Sequence, residues 1–322
     1  MVAPPRLRAY YRYLWKVIAA VFCFVIFKFI ADQFLPPRST SQTALGIGRP
    51  PASEVPIPQQ IWQIFFPPPN SEIVDKDIIY SSQWVAMAPG YTYTMVSELE
   101  ATTFVDANFE SRPEIAATYH ALRNPALKSD FLRYLLLLAR GGTYSDVDTK
   151  PLVPLEDWLP ADKRREVRLI IAPEYDESQD RHPKDWMHPV QFCQWTIAAA
   201  PNHPILAKMV NRTLAALHYV AQQQGTTLDQ ADFSDFNVLN STGPVAWTEV
   251  ILESIKEMDP NITGFSDFFG VTEPRYFQDL VVMPHESFRA DFLDDWGFTW
   301  GKKRRALVRH YFKGAWRKIP VD

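Results

Sequence analysis

Residues 127–148 read Leu-Lys-Ser-Asp-Phe-Leu-Arg-Tyr-Leu-Leu-Leu-Leu-Ala-Arg-Gly-Gly-Thr-Tyr-Ser-Asp-Val-Asp. Pro125, just before this stretch, suits a first helical position, and Gly141-Gly142 suit a C-terminal cap, so the sequence predicts a helix over Pro125–Arg140. Leu127, Phe131, Tyr134 and Leu138 share one face, while Leu132, Leu136 and Ala139 cover much of the opposite side. Such a helix is expected to be buried from both sides. The glycine pair lets the chain turn sharply out of it into a short strand, Thr143–Asp146, with a second acid two residues on.

Working outward, Gln60–Phe66 reads as a first buried strand, ended by Pro67-Pro68-Pro69. Gln83–Ala88 and Tyr91–Val96 are strand-like around a Pro89-Gly90 turn. Val167–Ala172 is a clear strand and Leu280–Met283 a short one. Gln191–Ala200 and His203–Gln223 read as helices separated by Pro201, and Val245–Met258 as another. Strands alternating with helices predict an α/β fold.

The chain has 322 residues, 47% of them hydrophobic, with a formal net charge of −4. That excludes a disordered protein and gives no basic face for nucleic acid. The total averages two regions. Residues 1–56 carry seven basic and two acidic side chains, or +5; residues 57–322 carry 26 and 35, or −9. Leu14–Ala31 is apolar apart from Lys16 and Lys28 and as a helix spans about 27 Å, enough for a thin bilayer. Tyr10, Tyr11, Tyr13 and Trp15 suit one interface, and Arg6, Arg8 and Arg12 place the N-terminus in the cytoplasm. Phe27–Ala31 offers only one small residue for a cleavage site, which favours an uncleaved signal anchor over a cleaved signal peptide, with a buried core helix as the further alternative. The expected organisation is therefore a cytoplasmic tail at 1–13, a transmembrane helix at 14–31, a Pro/Ser/Thr-rich stem at 32–56 and a lumenal catalytic domain at 57–322. Three sequons, at Asn211, Asn240 and Asn261, are compatible with a lumenal body and are candidate glycosylation sites. With Cys23 and Cys193 alone there is no disulfide framework, and Cys193 reads as a buried small hydrophobe.

Asp146-Val147-Asp148 is the candidate for chemistry. Two carboxylates one residue apart at a strand end can share a hard divalent cation. Asp75-Lys76-Asp77 has the same spacing and reads as a solvated turn. Asp130 and Arg133, at i and i+3 in the helix feeding the pair, face roughly the same way. They form either a simple intrahelical ion pair or a site in which Arg133 binds phosphate or sugar oxygens and Asp130 accepts from sugar hydroxyls. An Asp-x-Asp-x-Thr phosphohydrolase motif is not met, since Lys150 occupies the position of the threonine and Thr149 falls one place early.

The blocks Leu127–Tyr134 and Ala139–Asp148 resemble the signature of glycosyltransferase family 32, most nearly the fungal initiation-specific α-1,6-mannosyltransferases. Ile57–Gln63 resembles the family's first strand. Gln191–Ile197 with His203–Leu206 resembles its central helices, Thr242-Gly243-Pro244 its acceptor-side loop, and His310–Trp316 its C-terminal motif. The likeness covers 57–317 and departs at Gln59, Val245 and Ala315. It implies a GT-A-like nucleotide-sugar-binding fold behind an N-terminal transmembrane helix. The implied reaction is a Mn²⁺-dependent retaining transfer of mannose from GDP-mannose to a mannose hydroxyl of an N-linked glycan, with an α-1,6 linkage, in the Golgi. By the same resemblance Asp148 binds the metal directly, Asp146 contacts the ribose or the metal through water, and His310 lies near the metal or diphosphate. Asp130 and Arg133 hold the donor sugar, Tyr144 belongs to the donor site, and Trp62 lies near the base. Trp195 and Trp316 are expected in the core. A type II Golgi membrane protein is implied, with a Golgi mannosyltransferase complex as an expected partner. The rivals are mannosyl transfer to inositol-phosphoceramide and a non-enzymatic lumenal glycan-binding protein.

Overall fold

The computed structural model describes residues 55–67, 79–180, 186–288 and 306–312. The tail, the expected membrane span, all but the end of the stem, Asp75–Asp77 and Trp316 lie outside these residues. Among the described residues no helix is long and apolar enough to cross a membrane.

In chain order the first half holds β1 (Gln60–Ile64), α1 (Ser81–Met87), β2 (Thr92–Val96), α2 (Glu98–Asn108), α3 (Pro113–Ala121), α4 (Pro125–Arg140), β3 (Gly142–Ser145), β4 (Thr149–Pro151), β5 (Leu169–Ile171) and β6 (Pro173–Asp176). The second half holds β7 (Val190–Phe192), β8 (Thr196–Ala199), α5 (Pro204–Gln223), α6 (Asp235–Ser241), α7 (Pro244–Met258), β9 (Arg275–Phe277), β10 (Leu280–Val282) and β11 (Val308–His310). Seven strands form the central sheet in the order β2-β1-β3-β8-β5-β10-β9, and the pairs β4–β11 and β6–β7 form two small ribbons. The fold is therefore mixed α/β.

Alternation along the strands sorts the core into two layers. Leu169, Ile171, Ile197, Ala199, Leu280 and Val282 face one cluster, shared with α4, α5 and α7. Ile61, Ile170, Ala198 and Val281 face the other, which contains Trp84 of α1, Trp158, Trp195 and Phe288. With both faces covered, β5 (Leu-Ile-Ile) and β10 (Leu-Val-Val) are apolar throughout rather than alternating with polar residues.

This explains the two misread segments. Gln191–Ala200, expected as a helix, is the pair β7 and β8. Its three alanines favour a helix, but β8 lies between β3 and β5 as an antiparallel partner of both, and tertiary burial overrides the propensity. Gln83–Ala88, expected as a strand, lies largely in α1. Trp84 and Ala88, four apart, are both buried, and the Trp84 indole N–H bonds Thr149 O at 3.1 Å. The remaining expected elements occur with ends moved by one or two residues; β3 stops at Ser145, so Asp146 stands beyond the strand. Helix α6 and strands β4, β6, β9 and β11 carried no decisive local signal, while α2 and α3 are marked only at their starts.

Helix starts follow the sequence closely. Pro113, Pro125, Pro204 and Pro244 each open a helix, and Ser97 with Glu100 makes a reciprocal capping box at α2. In α4, eleven residues are buried, including Leu132 and Leu136 on one side and Leu127 and Phe131 on the other. Its end is sterically fixed. Gly142 has φ +106°, and a Cβ there would lie 2.6 Å from Gln60 O and 3.1 Å from the Trp62 indole nitrogen. Gly141 has φ +65°, with Pro201 N only 2.7 Å from a virtual Cβ. Gly142→Ala is expected to lower stability by about 2 kcal/mol or more. Gly225→Ala, at φ +65° with nothing within 4 Å of the added carbon, is expected to cost less. Denaturant midpoints at constant m-value measure the difference.

Candidate active site

In open α/β sheets, ligands bind beyond the carboxyl ends of the parallel strands. β1 and β3 run parallel, and Asp146 follows the end of β3. β8 runs antiparallel to β3, with Ser145 opposite Thr196, so Gln194 and Trp195 arrive at the same edge. The Asp146 N–H donates to Trp195 O at 2.9 Å, and the Gln63 side chain of β1 donates to Asp146 O at 2.9 Å. The Ser145 hydroxyl lies 2.8 Å from that of Thr149 and 2.6 Å from that of Thr196. Thr149 Oγ1 in turn donates to Asp146 O at 2.5 Å. The acidic turn is thus wired to three strands before any charged contact is considered.

Antiparallel pairing of β4 with β11 sets His310 opposite Thr149. Its Nε2 stands 3.0 Å from Asp148 Oδ1, and the Tyr311 N–H donates to Asp148 O at 3.0 Å. One ligand atom each from Asp146, Asp148 and His310 lies within 4.8 Å of the others. All three residues are half-buried. Two carboxylates and an imidazole at this separation fit a divalent cation, and the oxygen donors suit Mn²⁺ or Mg²⁺.

Behind the acids lies a buried charge network. Arg133 is 5% and Asp130 7% exposed. Arg133 Nη2 lies 2.8 Å from Asp130 Oδ1 and 3.5 Å from Asp146 Oδ1, and Nη1 donates to Gln194 O at 3.2 Å. The guanidinium carbon sits 4.8 Å from the Tyr144 ring centre, and the Tyr144 hydroxyl donates to Asp146 Oδ1 at 2.6 Å. Asp130 also accepts from Thr242 Oγ1 at 3.0 Å and Gln194 Nε2 at 3.3 Å. Burial pushes the Asp130 carboxyl up to about 6, opposed by Arg133 and by the donors Thr242 and Gln194. Burial also works against the charge on Arg133, but Tyr144, Asp146 and Asp130 together hold its pKa above the ordinary value. Only Arg133 Nε remains buried without a hydrogen bond in this group. The pair is therefore more than an intrahelical ion pair, because the same guanidinium also reaches the acidic turn.

Trp62 is half-buried, its indole N–H donates to Gly141 O at 2.8 Å, and its ring meets Phe104 edge-on. It therefore pins the glycine turn from β1. Asn211 is exposed and accepts from Arg112 at 2.9 Å, Asn261 is exposed in a turn closed by Asp259, and Asn240 is half-buried on α6. These sequons lie on the surface outside the acidic site's contacts. Cys193 is fully buried, and burial pushes its thiol well up, away from thiolate chemistry. Trp195 is core, as expected, at 5% exposure. Gln63, Gln194 and Glu174 were not singled out as site residues. Glutamines and a lone glutamate have no motif of their own, and only strand pairing brings them here.

Residues 75–165 match the family described as glycosyltransferase sugar-binding region containing DXD motif. The chain is 32% identical over 271 residues to the initiation-specific alpha-1,6-mannosyltransferase of Schizosaccharomyces pombe, covering 81% of this chain and 64% of that protein. It thus spans just under two thirds of that relative's length. It is 26% identical over 303 residues to the protein of the same name from Candida albicans, covering 88% of this chain and 78% of that one. A solved structure titled PaToxG Glycosyltransferase aligns at 18% identity over 65% of this chain and 73% of its own, with a TM-score of 0.45, an overlap too partial to carry an argument. The acid pair lies inside the matched region, so this part of the chain is similar to the DXD-containing sugar glycosyltransferases.

Proposed function

We propose that this protein is a glycosyltransferase, specifically a retaining mannosyltransferase. In this reading it moves mannose from GDP-mannose to a mannose hydroxyl of an N-linked glycan, forming an α-1,6 linkage in the Golgi lumen. Residues 14–31 serve as a type II membrane anchor. The observation that carries the chemistry is the Asp146–Asp148–His310 cluster backed by Arg133. Similarity to relatives named for α-1,6-mannosyl transfer supports the choice of sugar and linkage.

A divalent cation, Mn²⁺ in this proposal, held by Asp146, Asp148 and His310 would neutralise charge gathering on the departing diphosphate. The chain's own residues supply the aim. Arg133 and Tyr144 both contact Asp146 Oδ1, which directs the other oxygen of that carboxylate away from the helix. Asp130, Thr242 and Gln194 fix Arg133 in turn, directly or through Asp130. Trp62, half-buried, is the residue proposed to stack on the base. The paired carboxylates of glycosidases are not visible in the sequence, and the leaving phosphate serves as base for the incoming hydroxyl.

Asp148→Ala is expected to lower Mn²⁺-dependent release of GDP from GDP-mannose by at least about 100-fold with the circular dichroism spectrum unchanged; wild-type release would remove the metal assignment. Arg133→Lys keeps the charge but loses the planar fork that reaches Asp130, Asp146 and Gln194 O together. Turnover is expected to fall about ten- to a hundredfold. The acceptor is tested by incubating the full chain with labelled GDP-mannose, Mn²⁺ and either a mannose-ended N-glycan or inositol-phosphoceramide. Label on the glycan in an α-1,6 linkage is expected. Label on the ceramide would move the function to sphingolipids. Retention of glycan without any transfer would leave a binding protein.

A further inference from the structure

Metal-binding histidines are usually oriented by a hydrogen bond from the second ring nitrogen. His310 presents Nε2 to Asp148, yet its Nδ1 is buried and has no hydrogen-bond partner among the described residues. The ring is held by packing instead. Trp195 lies against it with centroids 4.5 Å apart, and Phe312 lies on it at 4.0 Å. The orientation of His310 is therefore only as firm as the aromatic groups around it.

The Trp195 ring is itself tied at one point, since its indole N–H donates to Glu174 Oε2 at 2.7 Å. The other oxygen of Glu174 accepts from Gln191 Nε2 at 2.8 Å. Glu174 reaches this position through an irregularity in β6. Pro173 pairs with Phe192 and Tyr175 with Gln191, so Glu174 is an extra residue in the ladder. Such bulges re-aim a side chain, and they concentrate beside active sites. Glu174 is 9% exposed, and its two carboxylate oxygens accept from the neutral donors Gln191 and Trp195. Burial pushes its pKa up against the pull of Gln191, Trp195 and the nearby His310. A buried carboxylate held by neutral donors is an expensive way to fill space, and candidates of this kind cluster at functional sites.

We propose that Glu174 is a positioning residue of the active site: it fixes the Trp195 indole against the His310 imidazole and so sets His310 beside Asp148. The proposal rests on the reading of Asp146, Asp148 and His310 as a cation site. It assigns Glu174 no contact with substrate. The bulge turns its carboxylate inward, Trp195 is the plate it holds, and His310 is the ligand that plate steers.

The test is Mn²⁺ binding to the full chain, followed by the paramagnetic resonance signal of free Mn²⁺ during titration. His310→Ala serves as the reference and is expected to weaken binding by about tenfold or more. Glu174→Ala is expected to weaken it by about tenfold, the scale seen when an outer partner of a metal ligand is lost. Glu174→Gln keeps an oxygen for the Trp195 N–H, while Gln191 can turn its own amide oxygen to the new donor. Its binding is expected to stay close to wild type. Trp195→Phe keeps an aromatic plate but removes the donor, and is expected to follow Glu174→Ala. It decides the matter should Glu174→Ala lose its far-ultraviolet circular dichroism. Wild-type binding in folded Glu174→Ala or in Trp195→Phe, with His310→Ala weakened, overturns the proposal and leaves the metal site standing. Equal loss in Glu174→Gln and Glu174→Ala also overturns it, because charge and not position would then be the contribution. Wild-type binding in His310→Ala removes the metal reading at its source.

Discussion

A guanidinium placed almost wholly out of water has to be matched on several sides, and the arrangement around Arg133 follows from that requirement. Asp130 meets it from the preceding turn of α4, Asp146 from beyond β3, Gln194 O from the segment between β7 and β8, and Tyr144 across its flat face. Removing water raises the cost of both charges, and only a network that satisfies nearly every donor offsets it. The result is a rigid link between a core helix and the acidic turn. Asp146 is aimed by groups that are themselves buried, so the exposed side of the site inherits the stiffness of the core.

That link depends on the α4–β3 corner. Gly141 and Gly142 run against Pro201 and Gln60 with no room for a Cβ, and Trp62 fastens the corner through Gly141 O. The glycines therefore serve two ends at once: they allow positive φ, and they permit close approach of three chain segments. Trp62 is structural at its nitrogen, which holds Gly141 O, while the residue as a whole stays half-buried.

The other half of the site comes from the far end of the chain. His310 reaches Asp148 because β11 pairs with β4, 157 residues away by the register of Val308 with Pro151 and 161 by that of His310 with Thr149. Glu174 and Trp195 are joined through the β6–β7 ribbon and the segment that leads into β8. Short elements of three or four residues thus deliver most of the polar groups, while the long helices α4, α5 and α7 supply the packed layer beneath them. Burying that layer removes apolar surface from water on both sides of the sheet, which holds the strand ends in place.

Local sequence carries its information in periodicity, caps and breakers. Those features alone place α4, α5 and α7, the strand that ends at the acid pair, and the pair's emergence at a glycine turn. The Asp130 and Arg133 spacing on one helix face is equally local. The helix reading of Gln191–Ala200 failed because a central strand buried on both faces loses alternation and its alanines point the other way; Gln83–Ala88 failed because a short apolar run fits either period. The acidic motif and its supporting helix were thus determined by the sequence itself. The partners that complete it were decided only by tertiary structure: Gln194 O on the guanidinium, His310 beside Asp148, and Glu174 turned in by a bulge toward Trp195. Each of these depends on which strands lie side by side, and strand pairing between distant segments is set by the packing of the whole core rather than by any local pattern.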